Sequence, residues 1–261
     1  SGLSPGVRRA FLDSGVAHIL AVSGSNVAVV AGAVLAVISF FRVSKVVSRM
    51  LTACALVVYM LVTGSQPPVV RATIMALSLF LGSSMGRRVH PLQSVGLAAL
   101  IMFTADARQL FDVGFQLSFG AVIAILLLTP RLLGIVIHRE HRTMMWRLVR
   151  TAYSLFAVSI AASVGTLPLT GMAFGRLSIV GFIANLVIVP ATGLSVVLGI
   201  VSAAVAPVHA WVAASYAALN RMVLMLTIEG AERAASLPWA TVDTIWFRPI
   251  DALPYYTALA C

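Results

Sequence analysis

His18, Ser23 and Asp112 supply the residue types of a nucleophilic triad, in which a serine attacks, a histidine takes its proton and a carboxylate orients the histidine. The spacing works against that chemistry. His18 precedes Ser23 by five positions, so on one helix the two side chains point about 140° apart and the imidazole does not readily reach the hydroxyl. The five histidines are scattered, and no His/Cys/carboxylate set has metal-ligand spacing. Cys54 lies among Leu, Ala and Val, and Cys261 is the last residue; the pair suggests no disulfide framework, zinc site or redox centre. The sequence therefore predicts no catalytic residue, no metal and no cofactor.

A different set of polar residues stands out because of what surrounds it. Four clusters interrupt long apolar stretches. Ser23, Ser25 and Asn26 flank Gly24. Thr63, Gln66 and Arg71 surround Gly64, Pro67 and Pro68. Asp112, Gln116 and Ser118 surround Gly114. The last cluster joins Thr166 and Pro168 to Gly175, Ser178, Asn185 and Pro190. Hydroxyls and amides beside Gly and Pro at membrane depth describe broken or re-entrant helices, which are tolerated only against protein or a water-filled cavity. Arg71 is the costliest member, since a central Arg costs about 2.5–3.5 kcal/mol on insertion scales. It calls for a partner such as Asp112, for snorkelling to an interface, or for water. Asn26, Gln116 and Asn185 taken singly fit interhelical hydrogen bonding, worth about 0.6 kcal/mol each. Taken together, the clusters predict a shared polar interior, with Ser23, Ser25, Asn26, Thr63, Gln66, Arg71, Asp112, Gln116, Ser118 and Asn185 lining it.

The elements that must position these residues are membrane helices. Sixty per cent of the 261 residues are apolar, only 10% are charged, and the mean hydropathy is +1.01. Globular domains carry about 25% charged residues, so this chain has too little charge to cover a surface facing water. A spanning helix needs about 20 apolar residues. Apolar stretches set off by charge predict about eight such helices: 13–42 and 49–71, each between charged residues, 68–85 with Arg71 in its first turn, 91–104, 114–130, 151–174, 179–206, and an amphipathic 211–228 with Asn220 and Arg221 inside. The fold class is an all-α polytopic membrane protein, one domain over residues 1–261 with no polar domain between spans. Ser1 is not a start methionine, and Tyr255–Cys261 reads as another helix beginning, so the expectation is a segment of a longer protein.

Charge sets the orientation. Of the 18 basic residues 17 are Arg, against eight acidic residues. Arg42, Lys45, Arg49, Arg87, Arg88, Arg131, Arg139, Arg142, Arg147 and Arg150 all fall on the connections after the first, third and fifth spans, opposed only by Glu140. The other side holds Arg8, Arg9, Arg108 and Arg176 beside Asp13, Asp106 and Asp112. The positive-inside rule makes loops 42–49, 87–88 and 131–150 cytoplasmic. After Gly175 two readings stand: a single crossing over 179–206 puts the tail outside, and a re-entrant pair divided at Pro190 puts it inside.

The clusters, in this order, resemble the competence domain of the ComEC family. The stretches that carry the resemblance are Gly15–Gly24 with Asn26 and Val27, Thr63-Gly64 with Pro67, Arg71, Ala72 and Met75, the Gly-Phe-Gln-Leu-Ser string Gly114–Ser118 after Asp112, then Leu167-Pro168, Phe174-Gly175, Ser178, Asn185 and Pro190. Many members carry His where this chain has Asn26, which puts in doubt any proton or metal role there. The resemblance implies an inner-membrane channel that passes single-stranded DNA into the cytoplasm during natural transformation. It implies as partners single-stranded DNA, the lipid bilayer, a DNA receptor and a cytoplasmic helicase-type ATPase, and it leaves a homo-oligomer open. It also implies flanking domains, oligonucleotide-binding-like and metallo-β-lactamase-like, that are not in these 261 residues. The competing reading is a small-solute or ion transporter on a similar bundle, which an inverted repeat would favour; no clear repeat is visible.

Overall fold

The computed structural model describes residues 6–7, 11, 13–16, 24–86, 90–136, 144–244 and 249–260. Among them the apolar helices follow in the expected order: α1 Gly24–Ser39, α2 Lys45–Val62, α3 Pro67–Ser84, α4 Pro91–Ala105, α5 Val113–Val136, α6 Met144–Phe174, α7 Gly181–Val205 and α8 Ala210–Ala235. A short helix, α9, covers Pro249–Ala260, and two strands, β1 Arg176–Ser178 and β2 Thr241–Asp243, form an antiparallel ladder. Five of the helices, α2 and α5–α8, are long and apolar enough to cross a membrane.

The helix starts follow from local chemistry. Ser44 caps α2 by accepting from the Val47 N–H at 3.3 Å. His90 and Gln93 form a capping box at the head of α4, with Pro91 in its first turn. Pro67 and Pro68 are the first two residues of α3, and the N–H groups of Val69 and Val70 both donate to the Gln66 carbonyl. A tandem proline there removes two donors that would otherwise need partners. This is why Gln66 caps nothing with its side chain.

Beside buried Leu56, Phe115 and Phe119, the interior holds small and polar side chains. Thr52, Arg71, Thr73, Ser94 and Thr227 are buried, together with Ala98, Ala157, Ala161, Ala213 and Ala231. Val58, Leu61, Val62, Trp211, Met222, Met225 and Leu226 face outward. Small and polar side chains inside, with large apolar ones outside, is what a bilayer selects, because lipid tails give helices no hydrophobic reason to hide Leu or Val.

The residues expected to break helices divide into two kinds. Gly24, Pro67, Pro68 and Gly114 stand in first turns, and Gly64 (φ +75°) and Ser65 (φ +51°) make the tight turn from α2 to α3. Pro168 and Pro190, by contrast, stand inside helices that continue through them. Of the two readings of 179–206, the one that divides it at Pro190 finds no break in the helix: one proline removes a single N–H, and the rest of the ladder carries α7 on.

The chain forms two compact units. The first comprises residues 1–17, 108–187 and 231–261, and the second residues 18–107 and 188–230. The division crosses α7 between Val187 and Ile188, within a turn of Pro190. In the second unit Val27, Val30, Leu56 and Val69 form a buried cluster, with Ala72, Ala76 and Val196 against it. In the first unit α5 and α6 make a hairpin. Tyr153 donates to the Leu132 carbonyl at 3.0 Å near its turn, and Gly165 lies so close to Ala124 that a Cβ would collide with it.

On the opposite face of the first unit, Arg176 pairs with Asp243 at 3.3 Å and Asp13 at 3.9 Å beside the β1–β2 ladder. Gly15 holds a positive φ of +72° there, and a Cβ on it would lie 2.7 Å from Ser178 Cβ. The Ser178 hydroxyl accepts from the Gly181 N–H at 3.1 Å and donates to the Ala240 carbonyl at 3.3 Å. The ladder holds residues 176–178 and 241–243 side by side, the arrangement that a single crossing by each of α7 and α8 would give. With the basic loops cytoplasmic, single cysteines at Asp13 and Val242 are expected to react with an impermeant maleimide added to intact cells, and those at Arg49 and Arg147 to stay silent, in a Cys54→Ser, Cys261→Ser background. Labelling at Arg147 without lysis would reverse the orientation.

Candidate functional site: two polar centres

The first two clusters meet in the second unit. A Cβ on Gly24, the first residue of α1, would lie 3.3 Å from Ala72 Cβ and 3.7 Å from the Pro68 carbonyl, so the head of α1 packs on the head of α3. Asn26, two residues further, hydrogen-bonds the Tyr59 hydroxyl near the end of α2. Thr63 turns its hydroxyl back onto the Tyr59 and Met60 carbonyls at 2.9 and 3.0 Å and so closes α2 rather than lining a path. Ser25 and Gln66 are exposed. Ser23 and His18 lie outside the described residues.

Arg71 is the centre of this group. It lies four residues into α3, about 6 Å along the axis from Pro67, and only 2% of it is exposed. The guanidinium has interactions, although Nε and Nη1 reach no hydrogen-bond acceptor among the described residues. The positive end of the α3 dipole adds to its charge rather than offsetting it. Pro67 and Pro68 start the helix here and leave no N–H open in its first turn. The electropositive character at this point belongs to the guanidinium and the helix end.

The third and fourth clusters meet in the first unit, apart from Pro190, which falls in the second. Asp112 is the N-cap of α5: its Oδ1 accepts from the Phe115 N–H at 2.8 Å. Gln116 donates through Nε2 to the Leu110 carbonyl at 2.9 Å and ties α5 to the 3-10 turn Ala107–Phe111. Ser118, two residues later, is half-buried. Gly120 packs on Leu169 and Thr166, with contacts of 3.6 and 3.9 Å for a Cβ there. Thr166 bonds the Ala162 carbonyl at 2.8 Å, and Pro168 is fully enclosed. Asn185 is half-buried, and its Oδ1 has no hydrogen-bond partner among the described residues. Asn26, Thr63, Gln66 and Arg71 thus lie in one unit, and Asp112, Gln116, Ser118 and Asn185 in the other.

Several polar residues in these centres carry no cluster signal in the sequence. Tyr59 reads as one more apolar residue of α2. Thr73 and Ser94 are buried on α3 and α4, and their hydroxyl oxygens have no hydrogen-bond partner among the described residues. A hydroxyl in an apolar run is the only hint the sequence offers, and it is shared by many exposed ones.

A family model described as Competence protein matches residues 1–261. Among curated proteins, ComE operon protein 3 of Bacillus subtilis (strain 168) is 27% identical over 184 residues, covering 70% of this chain and 22% of that protein. The chain therefore spans about a fifth of the length of this relative. No solved structure matches.

Proposed function

Because this chain belongs to the competence protein family, we propose that it forms the membrane path by which single-stranded DNA enters the cytoplasm during natural transformation. It sits in the cytoplasmic membrane with loops 42–49, 87–88 and 131–150 inside, has no catalysis of its own, and works with a DNA receptor outside and a helicase-type ATPase inside. The observation that carries this reading is Arg71, a cation 2% exposed at the head of α3, where the head of α1 packs on Pro68 and Ala72 and brings in Asn26 with its bond to Tyr59. A polyanion crossing a low-dielectric layer needs positive charge at some point on its route. It also needs that charge sparse enough for the strand to leave, which one buried guanidinium among amides and hydroxyls supplies.

Photo-crosslinking tests the path directly. A benzophenone amino acid at Gln66 or Ser25, both exposed beside Arg71, is expected to form an adduct with transforming DNA in competent cells. The same group at Val62, on the apolar face of α2 with 79% exposure, is expected to form none. Adducts at Val62 but at neither polar position would overturn the assignment of this centre to the DNA route.

A further inference from the structure

Pro168 stands inside α6 and has no N–H to give to the carbonyl four residues earlier, that of Val164. Val164 lies ten residues from the end of α6 at Phe174, about 15 Å along the axis, well inside a helix long and apolar enough to cross a membrane. Water is scarce at that depth, and an unmet carbonyl there costs several kcal/mol. Hydroxyls on the same helix do not meet it. Thr166 turns to Ala162, at 2.8 Å, and at 3.5 Å to Ser163.

The donor comes from the far end of the chain. Tyr255 on α9 donates its hydroxyl to the Val164 carbonyl at 2.7 Å, and Tyr256 donates to the next carbonyl, Gly165, at 3.0 Å. The two rings meet edge to face with centroids 5.5 Å apart, so each braces the other. On the opposite flank Gly165 abuts Ala124 of α5. The open rung of α6 is therefore held between α5 and the two tyrosines.

We propose that Tyr255 is a positioning residue that takes the place of the N–H missing at Pro168, with Tyr256 bonded to the next carbonyl beside it, so that α9 closes the hydrogen-bond ladder of α6 and is itself fixed in depth by it. A slip of one residue along α9 would carry each hydroxyl about 1.5 Å along the axis and turn it by about 100°, beyond the reach of its carbonyl. The apolar helix and its short neighbour are thus registered against each other by two hydrogen bonds rather than by packing alone. The claim concerns only the coupling of α9 to α6 and holds whether or not the chain conducts DNA.

Hydrogen exchange of the protein in nanodiscs, followed by mass spectrometry on peptides covering 160–174, tests the coupling. Tyr255→Phe is expected to speed exchange at the amides after Pro168 by about tenfold, the effect of losing one hydrogen bond. In a Pro168→Ala background the new N–H meets the Val164 carbonyl, and the same Tyr255→Phe change is expected to have less than a third of that effect. An equal effect in both backgrounds, or none in either, overturns the proposal. A second comparison leaves α6 untouched: Tyr255→Phe and Tyr255→Leu should be equally fast if the hydroxyl matters. Exchange in Tyr255→Phe that matches the parent while Tyr255→Leu is fast would assign the contact to ring packing and sink the hydrogen-bond claim.

Discussion

Arg71→Ala is expected to lower DNA uptake by about tenfold or more, the effect of losing one charge-assisted hydrogen bond to a passing phosphate, while the amount of membrane-inserted protein stays within about twofold of the parent. The reasoning starts from depth and burial. The residue is 2% exposed at the head of α3, in a segment whose neighbours Val69 and Ala72 are packed against apolar side chains. A guanidinium held there needs interactions with protein or with what passes. Arg71→Lys keeps the charge and loses the planar fork that grips a phosphate through two bonds, so partial recovery is expected.

The competing role for Arg71 is that of a strut paired with a carboxylate, and Asp112 is the carboxylate the sequence offers. The structure gives Asp112 a task of its own, capping α5 through the Phe115 N–H. Asn caps about as well as Asp, so Asp112→Asn should leave abundance unchanged if capping is its whole role. A fall in abundance in Asp112→Asn and in Arg71→Gln, repaired in the double variant, would identify a buried ion pair, because each single change leaves one charge uncompensated. In that case the contact with DNA is wrong. One transformation assay and one blot on these variants separate the two.

The second large effect is expected at the crossing of α5 and α6. Gly165→Leu should abolish accumulation of folded protein, and Gly165→Ala should reduce its thermal stability, since even one Cβ meets the Ala124 side chain. Overpacking of this kind costs about 1–3 kcal/mol, and here the backbones must move apart, which also strains the tyrosine contacts on the other flank. Ala124→Gly removes the opposing methyl, so Gly165→Ala combined with Ala124→Gly should regain most of the lost stability in a detergent melting assay. A double variant no better than Gly165→Ala alone would mean that the close approach is not what limits the fold.

Which parts of this molecule are written plainly in its sequence follows from how each signal arises. The eight apolar helices are visible because length, hydropathy and interrupting charge all report on the same bilayer, and each expected segment has its helix. Helix starts at Pro67, Pro91 and Asp112 are visible because proline and capping residues act on the backbone next to them. Pro168 and Pro190 mislead for the same reason. Local chemistry marks a lost hydrogen bond at each, but whether the helix stops there depends on what packs around it. At Pro168 the answer is Tyr255, 87 residues later, a distance over which no pattern of spacing operates. The polar clusters were legible as clusters, and their division between the two units was not. A hydroxyl facing its own helix, as Thr63 does, has the same sequence signature as one facing a path. β1 and β2 are three residues each, too short for alternation to be seen.

The β1–β2 ladder also imposes an order on the making of the protein. Arg176 leaves the ribosome 67 residues before its partner Asp243, so at a synthesis rate of about 5–20 residues per second β1 waits roughly 3–13 s for its other strand. During that interval α7 and α8 must both be threaded through the bilayer, since a segment that has not crossed twice cannot return to the face where β1 lies. Arg176 meanwhile already has Asp13 to pair with, so what the late strand adds is the backbone ladder and the nearer of the two carboxylates.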